Sequence, residues 1–127
     1  MNPFDKLLYV WHHPSNKGKR FRAVRRSFLW QIHKRLIGGY QDISIVESRI
    51  LRCYSHIDCT PLIVYAGLYD FHEMNFLLRY LRSDDNFLDV GGNVGIYAIL
   101  ASSIVTSGKI HVFEPSEISR NLLNENI

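Results

Sequence analysis

Cysteine is scarce in this chain, which contains only Cys53 and Cys59. Secreted domains that depend on disulfides carry a larger, even set of cysteines, so the sequence excludes a disulfide scaffold. Cys53, His56 and Cys59 could act as metal ligands. They supply three groups where a structural zinc site needs four, however, and no second Cys or His pair follows. We therefore expect reduced structural cysteines and no metal site.

Long apolar runs are also missing. The run Leu7–Trp11 is shorter than the ~7–15 residues of a signal-peptide core. The uncharged stretch Val94–Val105 is far below the ~20 residues that cross a bilayer. The sequence therefore predicts neither a signal peptide nor a membrane span, and the expected location is the cytoplasm.

What is present is the composition of one ordinary globular domain, with 127 residues, 46% hydrophobic and 21% charged. The charge is unevenly distributed along the chain. Residues 1–40 hold nine Lys or Arg and one Asp, whereas residues 41–127 hold six Lys or Arg and eleven Asp or Glu. A basic N-terminal piece therefore precedes a mildly acidic body.

The basic piece predicts a helix over about residues 17–37, stopped by Gly38 and Gly39. Its apolar side chains form one stripe at helical spacing, with Trp30 on the opposite side. We expect this stripe to face the core; its members are Phe21, Val24, Phe28, Ile32 and Leu36. Two alternatives are contact with an anionic membrane surface and contact with nucleic acid, although no recognised module supports nucleic acid.

Short β-like runs follow the basic helix. They cover Ile43–Val46, Arg49–Tyr54 and Leu62–Ala66, the last opened by Pro61. A helix is then expected after Asp70, which with Glu73 has the spacing of a capping arrangement. Residues 1–66 are thus expected to form an N-terminal extension containing the basic helix and short strands over 43–66.

The remaining sequence has the order strand, glycine turn, helix, strand, acidic residue. A buried-type strand at Asn86–Val90 leads through a glycine-rich turn into a helix at Ile96–Val105, and a second strand covers Lys109–Phe113. Glu114 follows at once, 19 residues after Gly95. This is the first half of a nucleotide-binding α/β sheet, in which such a carboxylate hydrogen-bonds ribose hydroxyls.

The spacing of the turn selects among cofactors. A dinucleotide fingerprint beginning at Gly91 would need glycines where Asn93 and Ile96 stand, and no phosphate-binding P-loop string occurs. The pattern Asp89-x-Gly91-x-x-x-Gly95 with Glu114 downstream fits S-adenosylmethionine, which has ribose hydroxyls and no phosphate. A nucleotide-sugar or dinucleotide enzyme remains an alternative.

Several segments resemble the FkbM family of S-adenosylmethionine-dependent methyltransferases. The resemblance is most specific over residues 67–97 and 111–116. It rests on the segments Gly67–Met74, Phe76–Leu78, Phe87–Tyr97, Val112–Pro115 and Asn126–Ile127, and more loosely on Trp11–Pro14 and Trp30–Gln31.

The resemblance implies methyl transfer to a hydroxyl of a sugar or other secondary metabolite. It implies that the cofactor turn is formed by Asp89, Gly91 and Gly95, that Asn93 is the family's usual Asn, and that Glu114 binds the ribose. Gly92 stands where Ala is commoner, which we expect to loosen the turn. Asp70 stands where the family often has Glu.

The expected fold is therefore α/β, the N-terminal part of a class I Rossmann-like methyltransferase sheet, with residues 67–127 forming its start. Only 42 residues run from Asn86 onward, whereas six strands at ~30 residues per βα unit would need ~180. We expect the substrate walls and the base to lie outside these residues and the fragment to be inactive. The candidates for a base within these residues are His72 and His111. The rival hypothesis is a non-catalytic module that binds a membrane surface or a partner through the basic helix.

Overall fold

The computed structural model describes residues 2–46, 49–57 and 59–127. Its described part is mixed α/β, with two sheets of two strands each. The helices are α1 (Pro3–His12), α2 (Arg20–Leu36), α3 (Thr60–Ala66), α4 (Phe71–Tyr80), α5 (Ile96–Ser102) and α6 (Glu117–Asn126). The strands are β1 (Tyr40–Val46), β2 (Arg49–Tyr54), β3 (Phe87–Val90) and β4 (Ile110–Phe113).

The chain divides into two compact units. The first unit comprises the described residues up to Gln41 together with those of Cys53–Phe71, and the second comprises those of Asp42–Arg52 and His72–Ile127. The first unit holds α1, α2 and α3. The second holds α4–α6 and the sheet of β3 and β4, and each unit has its own buried apolar residues.

In the first unit, α1 and α2 are joined by a short turn that includes a 3₁₀ segment at Pro14–Asn16. Asn2 caps α1 by accepting a hydrogen bond from the Asp5 amide at 2.8 Å, and Pro3 occupies the first turn, where its missing N–H costs nothing. The fully buried Asn16 donates to the carbonyls of Val10 (2.8 Å) and Tyr65 (2.9 Å). This amide therefore ties the turn to the end of α3.

Helix α2 confirms the basic helix, but the face it buries is not the predicted one. Trp30 and Ala23, seven residues apart, are the buried side chains of α2. The expected core stripe is largely open, with Phe21 81%, Phe28 65% and Leu36 77% exposed. The physical reason is that one indole buries more apolar area than any other side chain of this helix, so its burial sets the rotation of the helix.

The third predicted β run is wrong, because Leu62–Ala66 lies in α3. Pro61 stands in the first helical turn, where the absence of an N–H removes no hydrogen bond, and Gly67 ends the helix at φ +69°. Residues 63–66 are all buried. A helix that is buried all round shows no amphipathic period, so its pattern cannot be told from that of a buried strand. The other two runs are confirmed as β1, which begins earlier at Tyr40, and β2.

In the second unit, β3 and β4 are parallel, with Phe87 opposite Ile110 and Val90 opposite Phe113. These two strands and α5 occupy the predicted segments to within a few residues. Exposure alternates along both strands. One face, with Asp89 and Val112, is half-buried, while Leu88, Val90 and Phe113 on the other face are 59%, 76% and 59% exposed. The sheet is thus covered on one face only: Val90 lies open, whereas Ile99 and Leu100 of α5 are buried.

Candidate functional site

The glycine turn after β3 is fastened to the end of β4. The Gly91 and Gly92 amides both donate to the carbonyl of Phe113, at 2.7 and 3.2 Å. The Gly95 amide donates to the Gly92 carbonyl at 2.8 Å and closes the turn ahead of α5. Consequently the two strand ends and the turn form one hydrogen-bonded edge.

Positive backbone angles explain two of these glycines. Gly91 has φ +86° and Gly95 has φ +93°, a region that side chains rarely adopt. A Cβ on Gly95 would also lie 2.8 Å from Leu123 Cδ1, whereas a Cβ on Gly91 would meet no atom within 4 Å. Gly95 is therefore needed for packing against α6, while Gly91 borders open space at the strand end.

Gly92 corrects the expectation of a loosened turn. It is buried, and a Cβ at this position would lie 2.2 Å from Val112 Cγ1 and 3.2 Å from Asp89 Oδ2. Here the turn packs so closely on β4 that alanine has no room. Glycine at this position tightens the contact between turn and strand.

Glu114 links the second strand to the turn through both carboxylate oxygens. Its Oε2 accepts from the Asn93 amide at 2.8 Å, and its Oε1 accepts from the Ser116 amide at 2.8 Å. Asn93 presents its amide from a left-handed conformation, φ 50°, which Asn tolerates better than most residues. The sequence placed Glu114 at a strand end, but this anchoring role became visible only in the structure.

Asp89 lies on the half-buried face of β3. Burial, and after it the negative charge of Glu114, raises the pKa of the Asp89 carboxyl. Its Oδ2 is buried, and no donor among the described residues reaches it. The site therefore offers the Glu114 carboxylate, held by two backbone amides, and an Asp89 oxygen that accepts no hydrogen bond from the described residues.

The raised pKa of Asp89 predicts a pH-dependent gain from Asp89→Asn. The folded protein holds this proton more tightly than the unfolded chain, so the contribution of Asp89 to stability falls as pH rises from the unfolded value of about 3.9 through the raised folded value. We expect Asp89→Asn to be more stable than the parent at neutral pH. The difference should shrink as the pH falls to about 3.9 and below.

Urea unfolding of both proteins across this pH range measures the difference. The exposed Asp84→Asn is the matched control and should show no such trend. A variant at position 89 that is less stable than the parent at neutral pH would contradict the assignment.

Asn126 is a contributor that the sequence reasoning did not single out. Its Nδ2 donates to the Val94 carbonyl at 2.9 Å, and its Oδ1 accepts from the Arg52 amide at 2.8 Å. A side chain at the end of α6 thereby holds both the glycine turn and β2. The only sequence signal for it was its place in the family resemblance.

The structure places the remaining candidates as follows. His111 lies in register with Leu88 on the open face of the sheet, opposite to the face of Asp89, and His72 is exposed in the first turn of α4. Asp70 lies in the first unit, where its charge, after burial, raises the pKa of Tyr9.

Cys53 and Cys59 are free thiols, and within residues 2–46, 49–57 and 59–127 no three His, Cys, Asp or Glu side chains are grouped to hold a metal ion. None of the helices in this part of the chain is both long and apolar enough to span a bilayer.

Comparisons with protein-family models, with curated proteins and with solved structures find no match to this chain.

Proposed function

We propose that the edge formed by the glycine turn and Glu114 binds S-adenosylmethionine, and that the chain is part of a methyltransferase acting on a hydroxyl of a sugar or other secondary metabolite. The observation that carries this proposal is the Glu114 carboxylate, held against the glycine turn by its hydrogen bond from the Asn93 amide. Two strand ends and a ribose-type acceptor thus meet at one edge of a parallel sheet, where ligands bind in α/β proteins.

Glu114 retains capacity for a ligand. Each of its oxygens accepts one backbone hydrogen bond, whereas a carboxylate has about four acceptor positions. The remaining positions suit the two hydroxyls of a ribose. Gly91 lies at the same edge with no atom within 4 Å of its Cβ position, which leaves a path for the ligand along the backbone.

Asp89 supports a cationic, phosphate-free cofactor. Two carboxylates at one strand edge repel a pyrophosphate, and this favours S-adenosylmethionine over a dinucleotide or nucleotide sugar. The methionine part of the cofactor carries an ammonium group that can donate to the unpartnered Asp89 Oδ2. Such a contact would compensate the burial that raises the pKa of Asp89.

The reaction itself needs little covalent chemistry from the protein. The sulfonium supplies an electrophilic methyl group, so the protein must align the acceptor oxygen with the methyl–sulfur bond and remove its proton. We assign no base among the described residues. The proposal therefore concerns cofactor binding by these 127 residues, with turnover requiring a substrate wall and a base that the described residues do not supply.

Loss of the Glu114 side chain should weaken cofactor binding. We expect Glu114→Ala to reduce the affinity for S-adenosylmethionine by about 1.5–3 kcal/mol, the range for a hydrogen bond to a charged group. That range corresponds to roughly ten- to more than a hundredfold in Kd. Isothermal titration calorimetry measures it directly.

Two further variants separate binding from folding. Glu117→Ala removes an exposed carboxylate three residues away and should leave the affinity unchanged. Glu114→Gln keeps one acceptor oxygen towards the backbone, so circular dichroism should show that this variant is folded. Calorimetry should show that it nevertheless binds S-adenosylmethionine more weakly than the parent. Equal affinity of the parent and both Glu114 variants would overturn the ribose assignment.

A second candidate function is a non-catalytic module that binds an anionic membrane surface. The specific observation in its favour is that Phe21, Phe28 and Leu36 are exposed on the basic helix α2. Sedimentation of the protein with phosphatidylserine vesicles tests this function.

A further inference from the structure

A groove of about 690 Å³ lies between α1 and α2 in the first unit. This volume is within the range of about 300–1,000 Å³ that is typical of small-molecule sites. Apolar side chains of both helices line it, namely Leu7 and Val10 of α1 and Val24 and Phe28 of α2. Leu7 remains 47% exposed and Phe28 65% exposed, so the apolar walls are not covered by the protein itself.

The two helices run in opposite directions along the groove. Trp11 at the end of α1 packs edge-on against Phe21 at the start of α2, with ring centroids 5.3 Å apart, and the Arg20 guanidinium lies over the same indole at 5.6 Å. The start of α1 therefore faces the later part of α2. The groove has a closed end at this aromatic contact and a far end along α2.

Positive charge is concentrated towards the far end. Lys6, Lys34 and Arg35 line the groove, and Lys34 lies about 20 Å along the helix axis from Phe21 at 1.5 Å per residue. The side chain of Lys6 leans towards the start of its own helix, and hence in the same direction. In the part of the chain that the structure describes, none of these three cations forms an ion pair.

The polar groups between the walls are already satisfied by each other. Gln31 Nε2 donates to the hydroxyl of the buried Tyr65, and both residues line the groove. A ligand therefore meets an apolar channel with cationic side chains at one end.

We propose that this groove binds a long-chain carboxylate, a fatty acid in monomeric form. The acyl chain would lie between Leu7, Val24 and Phe28, and the carboxylate would pair with Lys34 and Arg35. Burial of the chain removes apolar surface from water on both sides, and the head group neutralises charges that form no ion pair with any described residue. A concave channel between two helices suits one extended chain, whereas a bilayer surface is bound by convex apolar faces.

The test is titration of the full chain with dodecanoate, below its micelle-forming concentration, in a calorimeter. We expect saturable binding of one molecule. The double variant Lys34→Glu/Arg35→Glu should weaken it by about tenfold or more, as expected for charge-assisted hydrogen bonds. The matched control Arg22→Glu/Arg25→Glu changes net charge equally on the same helix, at exposed positions outside the groove. Because salt screens distant charges, it should change binding by about twofold or less.

Further measurements test whether the carboxylate and the groove are responsible for the binding. Dodecanol, which lacks the charge, should bind more weakly and respond equally to both double variants. Phe28→Ser should weaken dodecanoate binding, while Leu36→Ser, also exposed on α2 but outside the groove, should not. Equal losses in both charge variants would overturn the proposal. The proposal would also be overturned if the protein sedimented with phosphatidylserine vesicles but showed no saturable binding of dodecanoate, a result that would favour the membrane-binding module. A dimer in analytical ultracentrifugation whose interface covers the groove would overturn it as well.

Discussion

Replacing Gly108 by alanine is expected to destabilise the second unit by about 3 kcal/mol or more, the upper range for overpacking. A Cβ at this position would lie 1.8 Å from the carbonyl oxygen of Asp85 and 2.7 Å from its carbonyl carbon. These are backbone atoms, so the clash cannot be relieved by rotating a side chain. The chain segments before β3 and β4 would have to separate.

The cost is large because this junction starts the parallel sheet. The Ser83 carbonyl accepts from the amides of Thr106, Ser107 and Gly108 at 2.9, 2.9 and 3.1 Å. Directly after it, the Lys109 amide donates to Asn86 Oδ1 at 3.0 Å, and the Phe87 amide donates to the Lys109 carbonyl at 2.8 Å. Separation at Gly108 would thus break the first hydrogen bonds of the β3–β4 pair.

Urea unfolding followed by circular dichroism measures the loss. Ser107→Ala serves as the control, because it removes only an exposed hydroxyl that donates to the Ser83 carbonyl at 3.1 Å. We expect it to change the free energy of unfolding by no more than about 1 kcal/mol. A Gly108→Ala protein as stable as this control would contradict the close approach of the two segments.

Replacing Gly91 by valine is expected to weaken S-adenosylmethionine binding by at least about a hundredfold in Kd, because the side chain would occupy the path of the cofactor. The side chain would not clash with the protein, since its Cβ would meet no atom within 4 Å. What it would occupy is the open space at the end of β3. Calorimetric titration of the variant measures the effect, which rests on the proposed cofactor site.

Backbone strain needs its own control, because Gly91 has φ +86° and a left-handed conformation costs about 1–2 kcal/mol for other residues. Gly18 has φ +81° and likewise no atom within 4 Å of its Cβ position, but it belongs to the first unit. Gly18→Val should carry similar strain and bind the cofactor normally. Equal binding losses in the two variants would show that strain, and not occupancy of the cofactor path, is responsible.

Structural features that depend on residues close together in the sequence could be predicted, whereas features that depend on contacts between distant residues could not. The order strand, glycine turn, helix, strand was readable because it depends on local signals, above all the glycines at 91 and 95 and the apolar runs beside them. The placement of Glu114 beside the turn could also be predicted from the sequence, since parallel strands end at one edge of a sheet. The hydrogen bond that Glu114 accepts from the Asn93 amide could not be predicted from the sequence, because it depends on the left-handed backbone of Asn93.

Errors arose where burial is decided by distant parts of the chain. The periodicity of α2 gave a stripe through Phe28, but the helix rotates to bury Trp30 instead. Likewise, Leu62–Ala66 carries β-forming side chains, yet it forms α3, in which Pro61 stands in the first helical turn and residues 63–66 are all buried. Neither outcome could be read from spacing alone.

The sequence by itself determined the glycine turn, the carboxylates of Asp89 and Glu114 that flank it, and the charge difference between the basic start and the acidic remainder. These features reside in residue identity and short spacing. Only the tertiary structure decided that Gly92 is packed against Val112, that one face of the β3–β4 sheet is open, and that α1 and α2 leave an apolar groove with cationic side chains at one end. The physical reason is that side-chain contacts across elements depend on how each helix and strand is rotated, and that rotation is set by the packing of all its neighbours together.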